Sequence, residues 1–236
     1  CGGPGAWQRV ATLRAFRPPG GDRAAREPWR SACALAWELG ADGAVGEPAA
    51  RRAARVAWEQ HLNSPVTTAA GRLFDGLAAL VLGIASTGHE AEAPQRLEAL
   101  AAAATGAPPV VALPVTMTGG LRCLDWAPLV ALATDTAVAP GRRAAGIHAS
   151  LAAAIHAEAA RLRATAGITT VGLAGGVFQN RVLVEAASQR LAADGFAVLL
   201  GERVPCNDGG LAVGQVLEFA ATATATPPPT AGRSHG

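Results

Sequence analysis

The chain has 236 residues, half of them apolar, and 20 Lys and Arg against 18 Asp and Glu leave a formal charge of +2. That length suits one domain of fair size or two small lobes with a buried core, and the apolar content excludes a disordered polymer. The arginines are dispersed without interleaved aromatics, which gives no footprint for nucleic acid, and the longest apolar stretches, such as 77–84, fall well short of the roughly 20 residues that span a membrane.

The opening CGGPGAWQRV has neither a methionine nor the basic start and apolar core of a signal peptide, so a piece excised from a longer polypeptide is expected. Cys1, Cys33, Cys123 and Cys206 are scattered, with no CxxC and no metal-type spacing. They predict free thiols in a reducing compartment, the cytoplasm. RPPGGDRAAREP is broken by Pro and Gly, and Glu27-Pro28 stands where a first helical turn begins. A helix is expected over about 28–39, with Trp29, Cys33, Leu35 or Ala36, and Trp37 inward. A second helix is expected over 49–60, followed by a loop carrying HLNSPVTTAAGR. Phe74, Leu77, Ala78, Val81 and Leu82 then recur at helical spacing, which predicts a helix over about 68–82 with one buried face.

Another helix is expected over 91–104. PPVVALPVTMTGGLRCLDW reads as two strands around a Gly-Gly turn, with proline confining the first to a sheet edge. Residues 140–166 form the longest predicted helix. The final third changes rhythm: a strand at 168–173, a Gly175-Gly176 break, a helix over 177–191, a strand at 196–200, a polar loop at 205–210 and a helix over 211–219. Strand, helix, strand, helix implies a parallel α/β sheet with ligand loops at the strand ends. The tail, taken as 220–236 and dominated by ATATPPPTAGRSHG, has too little bulk to pack and is expected to be disordered.

Three places can carry chemistry. Gly175-Gly176 lies where a strand gives way to a helix, so it is either a plain turn or a loop whose bare backbone N–H groups receive an anion. Asn180 follows it, one turn into the predicted helix, within reach of whatever the loop holds. CNDGG, at 206–210, repeats the arrangement at the next strand end. There Asp208 either caps the following helix, with Asn207 making the turn, or offers a carboxylate to a metal or metal-bound phosphate. GRLFD sets Asp75 among apolar residues, where it needs a partner such as Arg72 or the hydroxyls of a ligand. His148 and His156 are two turns apart and cannot chelate together as i, i+4 ligands do, and His61, His89 and His235 are remote in sequence. No GxSxG elbow is present, and Cys123 and Cys206 lack an identified base.

Taken in order, PPGGDRAAREPWR, NSPVTTAAGRLFDGLAALVLG, LAGGVFQNRVLVE and VPCNDGGLAVGQ closely resemble the C-terminal part of HypF, the carbamoyltransferase family of nickel–iron hydrogenase maturation. The similarity runs from about residue 8 to about residue 219. It implies an α/β lobe of the ASKHA type, related to actin, the sugar kinases and Hsp70, with a mixed sheet, flanking helices and a helical insertion in its N-terminal half. Residues 1–219 then form the C-terminal portion of the domain, helical over about 26–104 and α/β over about 105–219.

The resemblance further implies a carbamoyltransferase that receives carbamoyl-adenylate, made from carbamoyl phosphate and ATP, and passes the carbamoyl group to the C-terminal cysteine thiol of a HypE-type acceptor, releasing AMP. It implies no nucleic-acid or membrane partner. Carried over residue by residue, Gly175, Gly176 and Asn180 match the nucleotide loop, Asp75 the carboxylate that contacts the nucleoside, Glu90 a second nucleoside-binding acid, and Asp208 a metal-ligating aspartate. The divalent metal, iron or zinc, is held in the complete domain by histidines of an HHxAH motif that is absent here, so the chain alone is expected to bind metal weakly and to lack activity. Ala91 stands where the family often has Gly, Ala174 where Ser is common, and Cys206 where Pro is common. The alternatives are a fragment of a small-molecule O-carbamoyltransferase and a degenerate nucleotide-binding module without catalysis.

Overall fold

A computed structural model describes residues 1–42 and 45–225. The first strand, β1 (Ala11–Leu13), is followed by helices α1 (Trp29–Glu38), α2 (Pro48–Glu59), α3 (Ala70–Leu82) and α4 (Glu92–Ala102). Strands β2 (Val115–Thr118) and β3 (Leu121–Leu124) flank the Gly119-Gly120 turn, and α5 (Ala127–Thr134) and the long α6 (Pro140–Ala166) follow. The chain closes with β4 (Thr170–Leu173), α7 (Arg181–Ala193), β5 (Ala197–Leu200) and α8 (Leu211–Ala225).

Local chemistry accounts for the ends of the long helices. Glu47 caps α2 by accepting from the Ala50 N–H at 2.9 Å, with Pro48 at the first helical position. The longest helix begins on Pro140 and ends on Gly167, whose left-handed backbone (φ 67) directs its N–H to the Arg163 carbonyl.

The sheet order is β1-β3-β2, with β1 parallel and β2 antiparallel to β3, and a separate parallel pair joins β4 to β5 in the register Thr170↔Ala197 to Leu173↔Leu200. The mixed sheet is the one the resemblance implies, and the parallel strand–helix–strand unit is the one the rhythm of the final third predicts. The proline-flanked β2 is at an edge, as its sequence predicts. Two elements have no counterpart in the sequence reading, β1 and α5. The helix predicted from 177 begins at Arg181, because a 3-10 turn over Gly176–Gln179 comes first. The last helix runs to Ala225, so residues 220–225 of the tail expected to be disordered are helical; residues 226–236 lie outside the described residues.

One core runs through both halves of the chain. Leu73, Phe74, Leu77 and Ala78 of α3 pack with Leu97, Trp126, Leu129, Ile147, Leu183 and Leu191. Phe16 meets the Trp126 ring edge-on at 5.9 Å, and the indole N–H of Trp126 donates to the Arg14 carbonyl at 2.7 Å, which ties the β1 segment to α5. A second cluster of Trp29, Cys33, Trp37, Val45 and Ala54 joins α1 to α2. All five positions named as inward on the first helix are buried. Helix α8 lies on the surface, held to the N-terminal segment by Glu218, which accepts from the Gly5 N–H and, at 3.0 Å, from the indole of Trp7.

Candidate functional site

The parallel register of β4 and β5 sets Leu173 and Leu200 side by side, so the loops that leave both strands open on one edge. They are joined directly: the Gly175 N–H donates to the Cys206 carbonyl at 2.6 Å. Gly175 has φ 102 and ψ 152, a region that side chains rarely enter, and this lets the chain turn there. Gly176 carries no such constraint, and a Cβ on it would stand 3.8 Å from the Cβ of Asn207. Both glycines are exposed. The two glycine loops picked out in the sequence therefore form one surface.

In the second loop the capping role belongs to Asn207, not Asp208. Asn207 Oδ1 accepts from the Gly209 N–H at 3.0 Å, opening a 3-10 turn over Asp208–Gly210. The Asp208 side chain is exposed and makes no hydrogen bond or ion pair among the described residues.

Asn180 is the N-cap of α7 rather than a residue one turn inside it. Its Oδ1 accepts from the Leu183 N–H at 2.9 Å, and its Nδ2 lies 2.9 Å from Nε2 of His148. His148 is fully buried on α6, its ring 5.1 Å from that of Phe74, with Nδ1 2.8 Å from the Ala144 carbonyl. A carbonyl only accepts, so Nδ1 carries the proton and Nε2 accepts from Asn180. Burial pushes His148 below the usual imidazole range, against the pull of the Ala144 carbonyl and of Glu98, so the ring is neutral at pH 7. One Nδ2 hydrogen of Asn180 remains for a ligand. Glu98 of α4 adds a further tie, accepting from the Arg181 N–H at 2.7 Å where the positive end of α7 favours a carboxylate.

Asp75 sits on α3 immediately after Phe74, buried to 4% exposure. Arg72, one turn earlier, donates from Nη1 to Asp75 Oδ2 at 2.8 Å and from Nη2 to Glu90 Oε1 at 3.0 Å. The structural partner that the sequence suggested for Asp75 is present, and the same guanidinium brings in Glu90. Burial pushes the Asp75 carboxyl up to about 6 despite Arg72, with the nearby Glu90 charge adding to the rise. Ala91, next to Glu90, has φ 64 and ψ 4, a left-handed conformation that explains why glycine suits this position.

The sequence offered no local sign of His148 as part of this region, because its partner Asn180 is 32 residues away. His156 is engaged elsewhere, 2.8 Å from Asp194, which Arg163 also holds. His235 lies outside the described residues. Among the described residues no group of three or more His, Cys, Asp and Glu side chains can hold a metal ion. A single exposed carboxylate on Asp208 does not fit a resident metal. The four cysteines are free thiols, and among the described residues no helix is long and apolar enough to cross a membrane.

Residues 2–215 match the family model for the carbamoyltransferase Kae1-like domain, second subdomain. The carbamoyltransferase HypF of Rhodobacter capsulatus is 43% identical over 220 residues, covering 91% of this chain and 28% of that protein. A carbamoyltransferase HypF homolog of Cupriavidus necator is 39% identical over 237 residues, covering 94% of this chain and 60% of that protein. The crystal structure of full-length HypF in the phosphate- and nucleotide-bound form has the same fold, with a TM-score of 0.80 at 22% identity over 92% of this chain and 29% of that one. The chain thus spans between 28% and 60% of the length of the two relatives. With the family model matched over nearly its whole described length, the chain belongs to the HypF carbamoyltransferase family, as the second, ASKHA-type subdomain of the Kae1-like domain.

Proposed function

We propose that this chain is the nucleotide-binding portion of a cytoplasmic enzyme that moves a carbamoyl group from carbamoyl-adenylate to the C-terminal cysteine thiol of a HypE-type acceptor, in the synthesis of the cyanide ligands of nickel–iron hydrogenases. In that reaction a carbon–sulfur bond forms, the carbon–oxygen bond to the adenylate phosphate breaks, the thiol proton is lost and AMP departs. The observation that carries the reading is the junction of the two glycine loops at the ends of β4 and β5, with Gly175 bonded to Cys206. The family supports it, and so does the bound phosphate and nucleotide of the solved HypF structure of the same fold.

The backbone N–H groups that follow Gly175, whose own N–H is taken by the Cys206 carbonyl, receive the adenylate phosphate, where no side chain blocks close approach. Asp75 and Glu90 accept from the nucleoside hydroxyls, and Asn180 offers its remaining amide hydrogen. Asp208 would offer one carboxylate to a divalent metal only in the complete domain, because this chain does not supply the histidine ligands. Carbamoyl transfer by the chain alone is therefore not expected.

Calorimetry with AMP and ATP on the wild type, Asp75→Ala and Gly176→Val tests the reading. A Cβ at Gly176 would stand 3.8 Å from Asn207 in the free protein, an ordinary contact, and thermal melting of the valine variant separates obstruction of a ligand from misfolding. Both variants are expected to bind at least tenfold more weakly than the wild type. Equal affinity in all three proteins overturns the proposed site.

A further inference from the structure

Arg72 divides its guanidinium between two acids from different parts of the chain. Its Nη1 reaches Asp75 three residues on along α3, and its Nη2 reaches Glu90 beyond the end of that helix. The two side chains differ in setting, Asp75 being 6% exposed and Glu90 69%. Neutralising buried Asp75 requires only one arm of the fork. The second arm holds an acid that water already solvates, where an isolated ion pair contributes little stability. Charge balance therefore does not account for the bridge.

Its geometric effect is to fix the separation and the facing of two carboxylates that repel one another. Each acid gives one oxygen to Arg72, while Oδ1 of Asp75 and Oε2 of Glu90 take no hydrogen bond among the described residues. Two carboxylate oxygens at a set spacing suit a pair of neighbouring hydroxyls, each donating to one acid. We propose that Arg72 is the positioning residue of the nucleoside site, holding Asp75 and Glu90 at the spacing that selects an intact ribose 2′,3′-diol. The proposal rests on the nucleotide reading of the site and adds the group that determines its selectivity for the sugar.

A lysine keeps a positive charge beside Asp75 but has no planar fork with which to hold a second acid in fixed geometry. Affinities for AMP and for 2′,3′-dideoxy-AMP are measured on the wild type and on Arg72→Lys, with thermal melting of both proteins. The wild type is expected to prefer AMP about tenfold or more, the worth of charge-assisted hydrogen bonds to the diol. In Arg72→Lys the preference falls to within about twofold of unity while the melting temperature stays close to that of the wild type. A wild type that does not distinguish the two ligands overturns the ribose assignment of Asp75 and Glu90, and the proposal with it. A wild-type preference that persists undiminished in Arg72→Lys overturns the role of Arg72 alone, leaving the nucleotide site intact.

Discussion

Nδ2 of Asn180 donates to Nε2 of His148 at 2.9 Å, and this one contact connects the solvent-facing glycine loop to the centre of the core. The imidazole is held by the Ala144 carbonyl and the Phe74 ring, so it acts as a fixed acceptor. The bond orients the Asn180 amide so that Oδ1 faces the Leu183 N–H and starts α7 immediately after the loop. His148→Phe keeps an aromatic ring against Phe74 but removes the acceptor. It is expected to cost about 1–3 kcal/mol, the penalty for a buried donor without a partner. His148→Gln, which retains an acceptor, should recover part of that loss. Urea denaturation midpoints of the three proteins give the comparison.

The same histidine sets a pH dependence. Its folded-state pKa is depressed, so the unfolded chain takes up the proton first, and stability is complete above about 6.5 and falls as the pH drops below that value. A proton on Nε2 also turns an acceptor into a donor facing the Asn180 amide. Melting temperatures measured from pH 7.5 down to 5 should therefore fall more steeply for the wild type than for His148→Gln. Parallel curves would remove His148 from the account of acid sensitivity.

Asp75 acts in the opposite direction. Its pKa is raised from 3.8 to about 6 on folding, so its protonated form is the one folding favours, and the stability this gives below about 3.8 is lost as the pH rises through about 6. At pH 8 the buried charge costs on the order of 3 kcal/mol by this shift. Asp75→Asn should thus be more stable than the wild type at pH 8 by about 1–3 kcal/mol, with the difference shrinking by pH 4, while nucleotide affinity falls. Denaturation at the two pH values, paired with AMP binding, checks both halves.

Residues whose structure is decided locally were legible in the sequence. Pro140 and Gly167 bracket a helix whose observed ends, Pro140 and Ala166, coincide with those predicted, and α3 ends on Leu82 as its apolar spacing indicates. Strand β1 was not legible because its three residues become a strand only by pairing with Arg122–Leu124, more than a hundred positions away. Helix α5, APLVALAT, is short and mostly apolar, and its type is set by burial beside Trp126 rather than by any periodicity. The candidate site divides in the same way. Gly175, Gly176, Asp75 and Asp208 stand in patterned loops or amid apolar residues, whereas the grip of Arg72 on Glu90 and of Asn180 on His148 depends on tertiary placement.

Ala91 gives a prediction about stability alone. A non-glycine residue at φ 64 crowds its Cβ against the backbone at a cost of about 1–2 kcal/mol. Glycine adopts the conformation freely but adds entropy to the unfolded chain, which offsets part of the gain. Ala91→Gly should stabilise the protein by up to about 1 kcal/mol, and Ala91→Val should destabilise it by more, because a β-branched residue tolerates this region less well. Guanidinium denaturation of the three proteins tests the order Gly, Ala, Val.

Gly76 follows Asp75 and sits where α3 crosses α1. A Cβ on it would come 2.6 Å from Leu35 Cδ1 and 3.0 Å from the carbonyl carbon of Ser31. The leucine methyl can turn aside, but the Ser31 backbone cannot, so Gly76→Ala must push the two helices apart. Overpacking of this kind costs about 1–3 kcal/mol. Because α3 also carries Arg72 and Asp75, the displacement should reduce the preference for AMP over its dideoxy analogue as well as lower the melting temperature. Gly71→Ala, at an exposed position of the same helix where an added Cβ meets nothing within 4 Å, should change neither by much. If Gly76→Ala melts early yet keeps its full preference for AMP, the α1–α3 contact supports the fold without setting the geometry of the site.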